Sequence, residues 1–234
     1  MAFSRVLAPS IEPAADVLTG AMVGIGMRFA ARAQPDANIE DTLLFAGAAA
    51  VEGADFRVLA ILVTWFGVHA PWVNADRLTK LVQNDCTPRE RALWASLARW
   101  QAKDRRFAKL ATVFDGAPLD LLETGTEFQI ERHGADERFT GGALRVPANV
   151  LRNRTVDVLT PAELARQHGA YRYRVMLGPS YRADMWALLE RKPSLTPTEV
   201  ARQTYGSFAT AWQIKRDFLV IHGAAERGRG KVSP

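Results

Sequence analysis

One cysteine, Cys86, occurs in the 234 residues. A single thiol forms no internal disulfide and lacks the partners of a cysteine-based zinc set. The four histidines, His69, His133, His168 and His222, are scattered, with no His-x-x-x-His pair. No Gly-x-Ser-x-Gly elbow is present. Gly24-Ile25-Gly26 lies inside a helical pattern and has Phe29 where a dinucleotide fingerprint needs its third glycine. These absences give no reason to expect a metal, a cofactor or a catalytic centre, and the chain reads as a non-enzyme.

Long apolar runs are missing as well. A bilayer takes about 20 uninterrupted apolar residues. Val17–Ala33 is broken by Arg28 and Arg32, and Leu43–Trp65 by Glu52, Asp55 and Arg57. The opening MAFSRVLAPSIEPAAD has no apolar core behind a basic start, so no secretory leader is expected. With one thiol, the expectation is a cytoplasmic protein with no membrane partner.

What is present is a globular chain. A hydrophobic fraction of 48% supports a core, and the length fits one large or two small domains. The net charge of +5 is unevenly placed. Residues 150–234 hold 14 Lys/Arg against 7 Asp/Glu, while the first 149 residues hold 16 against 18. The basic C-terminal part fits a phosphate-facing module, and it equally fits plain solubility.

The predicted fold is mainly α, in three parts. Residues 1–114 form a helical bundle. Val17, Met22, Ile25 and Phe29 suggest one amphipathic helix. Leu44, Ala48 and Val51 suggest a second, weakened by Gly47. Phe56 to Phe66 is apolar nearly all round and so central. Asn74 caps a helix over 75–83, and Thr87-Pro88-Arg89-Glu90 opens a long one to about Gln101. The 56–102 helices also have helix-turn-helix spacing, but the wide apolar face of Leu93, Trp94, Leu97 and Trp100 reads as core.

Residues 115–178 read as a small α+β segment. Phe128–Glu131 and Leu144–Val146 suggest a strand hairpin, and Tyr171–Val175 alternates as a half-buried strand does. Thr160–Gln167 matches Thr196–Gln203 at six of eight positions. We read this as one helix start used twice.

Residues 179–234 carry the strongest pattern: three short helices, the last two joined by a tight turn. Arg182–Arg191 is the first helix. Thr196, Pro197 and Glu199 open the second, with Val200 and Ala201 inward. Thr204-Tyr205-Gly206 turns the chain, and Gly206 is free to take a positive φ. Ser207 caps a third helix to about Ile221, with Ala211, Ile214 and Phe218 inward. Its outer face shows Ala209, Thr210, Gln213 and Arg216, with Lys215 alongside. Glutamine pairs with adenine and arginine with guanine, and threonine contacts a thymine methyl or a phosphate. Ser207 at the helix N-terminus suits a phosphate. Arg202 joins this DNA-facing set, and Arg227 and Arg229 in the tail 226–234 supply a basic arm. The bland alternatives are a solvated helix face and a disordered end.

Tyr181–Gly223, through ARQTYGSFATAWQIKRDF, resembles the (winged) helix-turn-helix modules of bacterial regulators, including the abortive-infection type of antitoxin. The resemblance implies a transcriptional regulator that binds double-stranded DNA, with the helical body dimerising or holding a protein partner. The alternative is a protein-interaction or antitoxin-like subunit without enzymatic activity.

Overall fold

The helix starts are written in short polar side chains. A computed structural model describes residues 13–229, with side chains as far as His222. Helix α1 (Ala15–Gly24) ends where the chain bends sharply. A Cβ on Gly24 would lie 1.9 Å from the Gln34 carbonyl oxygen, so only glycine fits. Asn38 caps α2 (Ile39–Val51) by accepting from Asp41 N at 3.2 Å. Asp55 caps α3 (Phe56–His69) by accepting from Arg57 N and Val58 N. Asn74 does the same for α4 (Ala75–Asp85), and the Thr87–Glu90 capping box opens α5 (Pro88–Trp100). Each cap satisfies backbone N–H groups that the helix leaves unpaired.

Helix α3 is the centre of the body, with its residues from Val58 to Phe66 all buried. Its Trp65, and Trp94 of the neighbouring α5, are fully enclosed. Trp65 Nε1 donates to Ile25 O at 2.7 Å. Gly47 has a packing role that its helix propensity hides. A Cβ there would sit 3.1 Å from the Trp94 indole nitrogen, so its smallness lets α2 lie against that ring. In α1, Met22 is buried as expected, but Val17 is 47% exposed and Phe29 lies beyond the helix end.

The middle segment differs from the sequence expectation. Strand β1 (Leu119–Asp120) precedes α6 (Thr126–His133), and β2 (Leu144–Arg145) follows it. The two strands pair in parallel, Leu119 with Leu144 and Asp120 with Arg145, so no hairpin forms. Phe128–Glu131, expected as a strand, is helical. Gly125, in the left-handed region at φ 78°, supplies the turn that starts α6.

A second capping box starts α7 (Pro161–Gln167), and His168 leads directly into α8 (Gly169–Leu177). The expected strand Tyr171–Val175 is this helix. His168 Nδ1 accepts from Tyr171 N at 3.1 Å and caps it. Tyr171 and Arg174, three residues apart, share the inward face and are both buried. Apolar residues of this segment, including Leu121, Phe139, Leu144 and Leu164, belong to the same core as α1–α5.

The C-terminal unit comprises α9 (Tyr181–Arg191), α10 (Pro197–Gln203) and α11 (Phe208–Arg229). It has its own core of Met185, Leu188, Leu189, Val200, Ala201, Ala211, Ile214 and Phe218. Helix α11 runs past the expected end at Ile221, through helix-favouring Ala224, Ala225, Glu226 and Arg227. Among the described residues no wing strand follows it. The chain is mainly helical, and no helix among the described residues is long and apolar enough to cross a membrane.

Candidate nucleic-acid interface

The turn between α10 and α11 sets how α11 stands. Gly206 N donates to Ala201 O at 2.9 Å and Tyr205 N to Arg202 O at 3.4 Å, closing α10 with a Schellman motif. The left-handed position of that motif usually holds glycine. Here Tyr205 occupies it, at φ 56°. The expectation that Gly206 takes the positive φ is therefore corrected. The space at Gly206 is tight: a Cβ there would lie 1.9 Å from Met185 Cε, the end of a buried side chain that would have to shift. A tyrosine in the left-handed region costs about 1–2 kcal/mol, so its surroundings must hold it there.

Those surroundings lie in the helical body. The Tyr205 hydroxyl donates to Asp41 Oδ2 at 3.0 Å, and its ring lies 4.0 Å from the Arg77 guanidinium carbon. Burial, aided by Asp41, raises the Tyr205 phenol to about 12. Arg77 in turn donates to Asn38 Oδ1 at 2.7 Å and pairs with Asp41.

Beside it lies a second buried cluster. Arg174 donates through Nε and Nη2 to both Asp184 carboxylate oxygens at 2.7 and 2.8 Å. Through Nη1 and Nη2 it reaches both Glu40 oxygens at 2.6 and 2.8 Å, and Nη1 also reaches Trp72 O at 3.2 Å. All five guanidinium N–H groups are thus used. Burial pushes the Glu40 carboxyl up, but Arg174 and Arg77 overcome it and hold the group below its ordinary value. At Asp184 burial prevails and the carboxyl is raised. Glu40, Asp41, Arg77, Arg174, Asp184 and Tyr205 together fasten α9 and the α10–α11 turn to α2, α4 and α8. In the sequence Tyr205 reads only as a turn residue. The alternation over 171–175 puts Arg174 with Arg172 on the outer, solvated or basic face of a strand. Arg174 is instead buried, and the other four are not singled out. Burial of charge among residues so distant in sequence has no local signature.

A cavity of about 170 Å³ opens next to this joint, lined by Asp36, Asn38, Arg174, Asp184, Arg191 and Lys192 among others. Most of its charges are already paired, Arg191 with Asp36 and Arg174 with Asp184.

On α11 the core side is as expected, with Ala211, Ile214 and Phe218 buried. Ala209, Gln213 and Arg216 are exposed on the opposite side, and Arg202 is exposed on α10. Ser207 caps the helix, accepting from Thr210 N at 3.1 Å. Its hydroxyl also bonds the Thr210 hydroxyl at 2.7 Å, so both face each other. Lys215 is half-buried and donates to Pro193 O. Arg216 pairs with Asp217 at 3.0 Å and leans over the Trp212 ring. The side chains of Arg227 and Arg229 lie outside the described residues. Trp186 packs on Phe218, whereas Trp212 is 50% exposed.

His69 is buried, with Nδ1 2.7 Å from the Tyr171 hydroxyl and Nε2 3.0 Å from Leu159 O. Burial lowers it to about 4. His168 is also lowered by burial, and its Nε2 lies 2.8 Å from Ala37 O. No group of three or more metal-ligating side chains forms among the described residues. The comparisons with protein-family models, with curated proteins and with solved structures give no match to this chain.

Proposed function

We propose that this chain is a DNA-binding regulator that meets double-stranded DNA through its C-terminal trihelical unit. The observation that carries the reading is the exposure of the first turns of α11. A four-residue turn, 204–207, sets α11 against α10, with Gln213 and Arg216 facing solvent opposite the core. A protruding helix of this kind fits the major groove. Arg216 must exchange Asp217 for DNA, but an exposed ion pair holds it by no more than about 1 kcal/mol. The resemblance of residues 181–223 to bacterial regulator modules points the same way.

The test is binding of the purified chain to duplex DNA across a salt series, with selection from random sequence. Affinity should fall steeply with salt. Gln213→Ala and Arg216→Ala should relax the selected sequence, while Arg202→Ala should weaken all sequences alike. No binding even at about 50 mM salt would sink the proposal. A second reading, a protein-interaction or antitoxin-like subunit, is favoured by one specific observation: Phe208, Trp212 and Leu219 face solvent on the same helix.

A further inference from the structure

Helix α11 carries a stripe that its core does not use. Phe208, Trp212 and Leu219 are 56%, 50% and 53% exposed. With Lys215 they follow one another at steps of four, three and four residues. That spacing keeps side chains on one ridge of a helix, about 16 Å long here. The ridge runs beside the face that holds Ala209, Gln213 and Arg216, not through it.

The steps read the same from either end. A ridge of this kind is complementary to itself when two copies lie antiparallel, as a two-fold interface requires. We propose that α11 pairs with α11 of a second copy of this chain, about an axis passing between Gln213 and Ile214. Phe208 then meets the partner's Leu219, and Trp212 meets the partner's Lys215. Each contact occurs twice. The second is a cation on an indole face. Lys215 donates to the Pro193 carbonyl of its own chain, a bond that the contact with the ring replaces.

The area suits a reversible dimer. Three half-exposed large side chains, with the stems of Lys215 and Arg216, offer about 450 Å² per copy and about 900 Å² for the pair. This lies below the range of stable specific interfaces and fits a weak, transient dimer. An axis normal to both helices leaves the Gln213–Arg216 faces of the two copies on the same side. The pairing goes beyond the DNA reading and does not require it.

The test is sedimentation equilibrium of the full chain without nucleic acid, from about 1 to 500 μM, the range in which a weak dimer forms. We expect a concentration-dependent dimer. Trp212→Lys sets like charges against each other across the axis and should weaken it at least tenfold, as should Leu219→Lys. Both positions face solvent, so the far-UV spectrum should stay unchanged, as should the melting temperature at the lowest concentration, where the wild type is monomeric. The double variant W212K/K215E restores opposite charges and should recover the dimer. A monomer at every concentration would overturn the proposal. So would a dimer indifferent to both single substitutions, or a double variant no better than W212K. DNA binding is read separately by mobility shift: a chain that dimerises as expected yet binds no DNA removes the DNA reading alone.

Discussion

Helix pairs α7–α8 and α10–α11 begin with the same Thr-Pro-x-Glu box, yet α8 turns its buried face onto the main core and α11 turns its own onto the separate C-terminal core. Leu164 in α7 and Val200 in α10 occupy equivalent positions and are both fully buried. The divergence starts after the shared glutamine. His168 bridges α7 and α8 alone, buried against the Ala37 carbonyl. Four residues separate α10 from α11, and the left-handed Tyr205 turns the chain. Helix α8 then buries Tyr171 on His69 and Arg174 between two carboxylates. Helix α11 buries Ala211, Ile214 and Phe218 in the C-terminal core. Both helices leave large apolar side chains in water: Val175, Met176 and Leu177 on α8, and Phe208, Trp212, Leu219, Val220 and Ile221 on α11. The opening residues dictate that a helix starts. Partners elsewhere in the chain decide which core the next helix joins.

The comparison breaks most sharply at Arg174. Arg174→Met leaves Asp184 buried without its paired cation and Glu40 with Arg77 alone, and should cost about 3–5 kcal/mol in urea unfolding. Arg216→Met on α11 should change stability by no more than about 0.5 kcal/mol. Similar losses at both positions would mean that the buried cluster adds nothing beyond an exposed pair.

Acid should act on the α8 side as well. His69 is held neutral in the folded chain, at about 4, whereas the unfolded imidazole takes up its proton near 6.5. The unfolded state thus binds more protons between these values. Stability is fully present above about pH 7 and falls as pH drops from 6.5 toward 4, by on the order of 3 kcal/mol from this group. His168, also lowered, acts in the same sense. Thermal melts of wild type and His69→Gln across this window measure the effect: the variant should show the shallower fall, and parallel slopes would remove His69 as the cause.

The α10–α11 turn should respond to crowding. Gly206→Ala drives a methyl into Met185 Cε and should cost about 1–3 kcal/mol. In a Met185→Leu background that penalty should shrink, because the Cε is gone. A double-mutant cycle with no coupling would show that the turn tolerates the methyl by another route. The smallest effects belong to the shared starts. Thr160→Ala and Thr196→Ala should each cost about 1 kcal/mol, by equal amounts if the two boxes act alike.

The helix starts were legible because a cap, a proline and a glutamate act within one turn. So was the central place of α3, apolar nearly all round, and the trihelical C-terminal unit. Helix α8 was not. Tyr171-Arg172-Tyr173-Arg174-Val175 fits a period of two as well as a helix, and burial of Arg174 depends on Glu40, far back in the chain. Gly206 was singled out, but for its backbone freedom, when the reason lies in Met185 on another helix. At the candidate interface the outward direction of Gln213 and Arg216 followed from periodicity. The turning of Lys215 to Pro193 and of Arg216 to Asp217 did not, since side-chain pairing within a surface has no periodic mark.

The Tyr205 anchor bears on whether the C-terminal unit can be transplanted. Asp184 and Tyr205 belong to that unit, but Arg174, Asp41 and Arg77 lie outside it. A fragment cut near residue 179 takes the strained tyrosine without the groups that hold it. Grafted onto a foreign protein, residues 179–234 therefore gain by replacing Tyr205 with glycine, the very substitution that loosens the unit in its own chain.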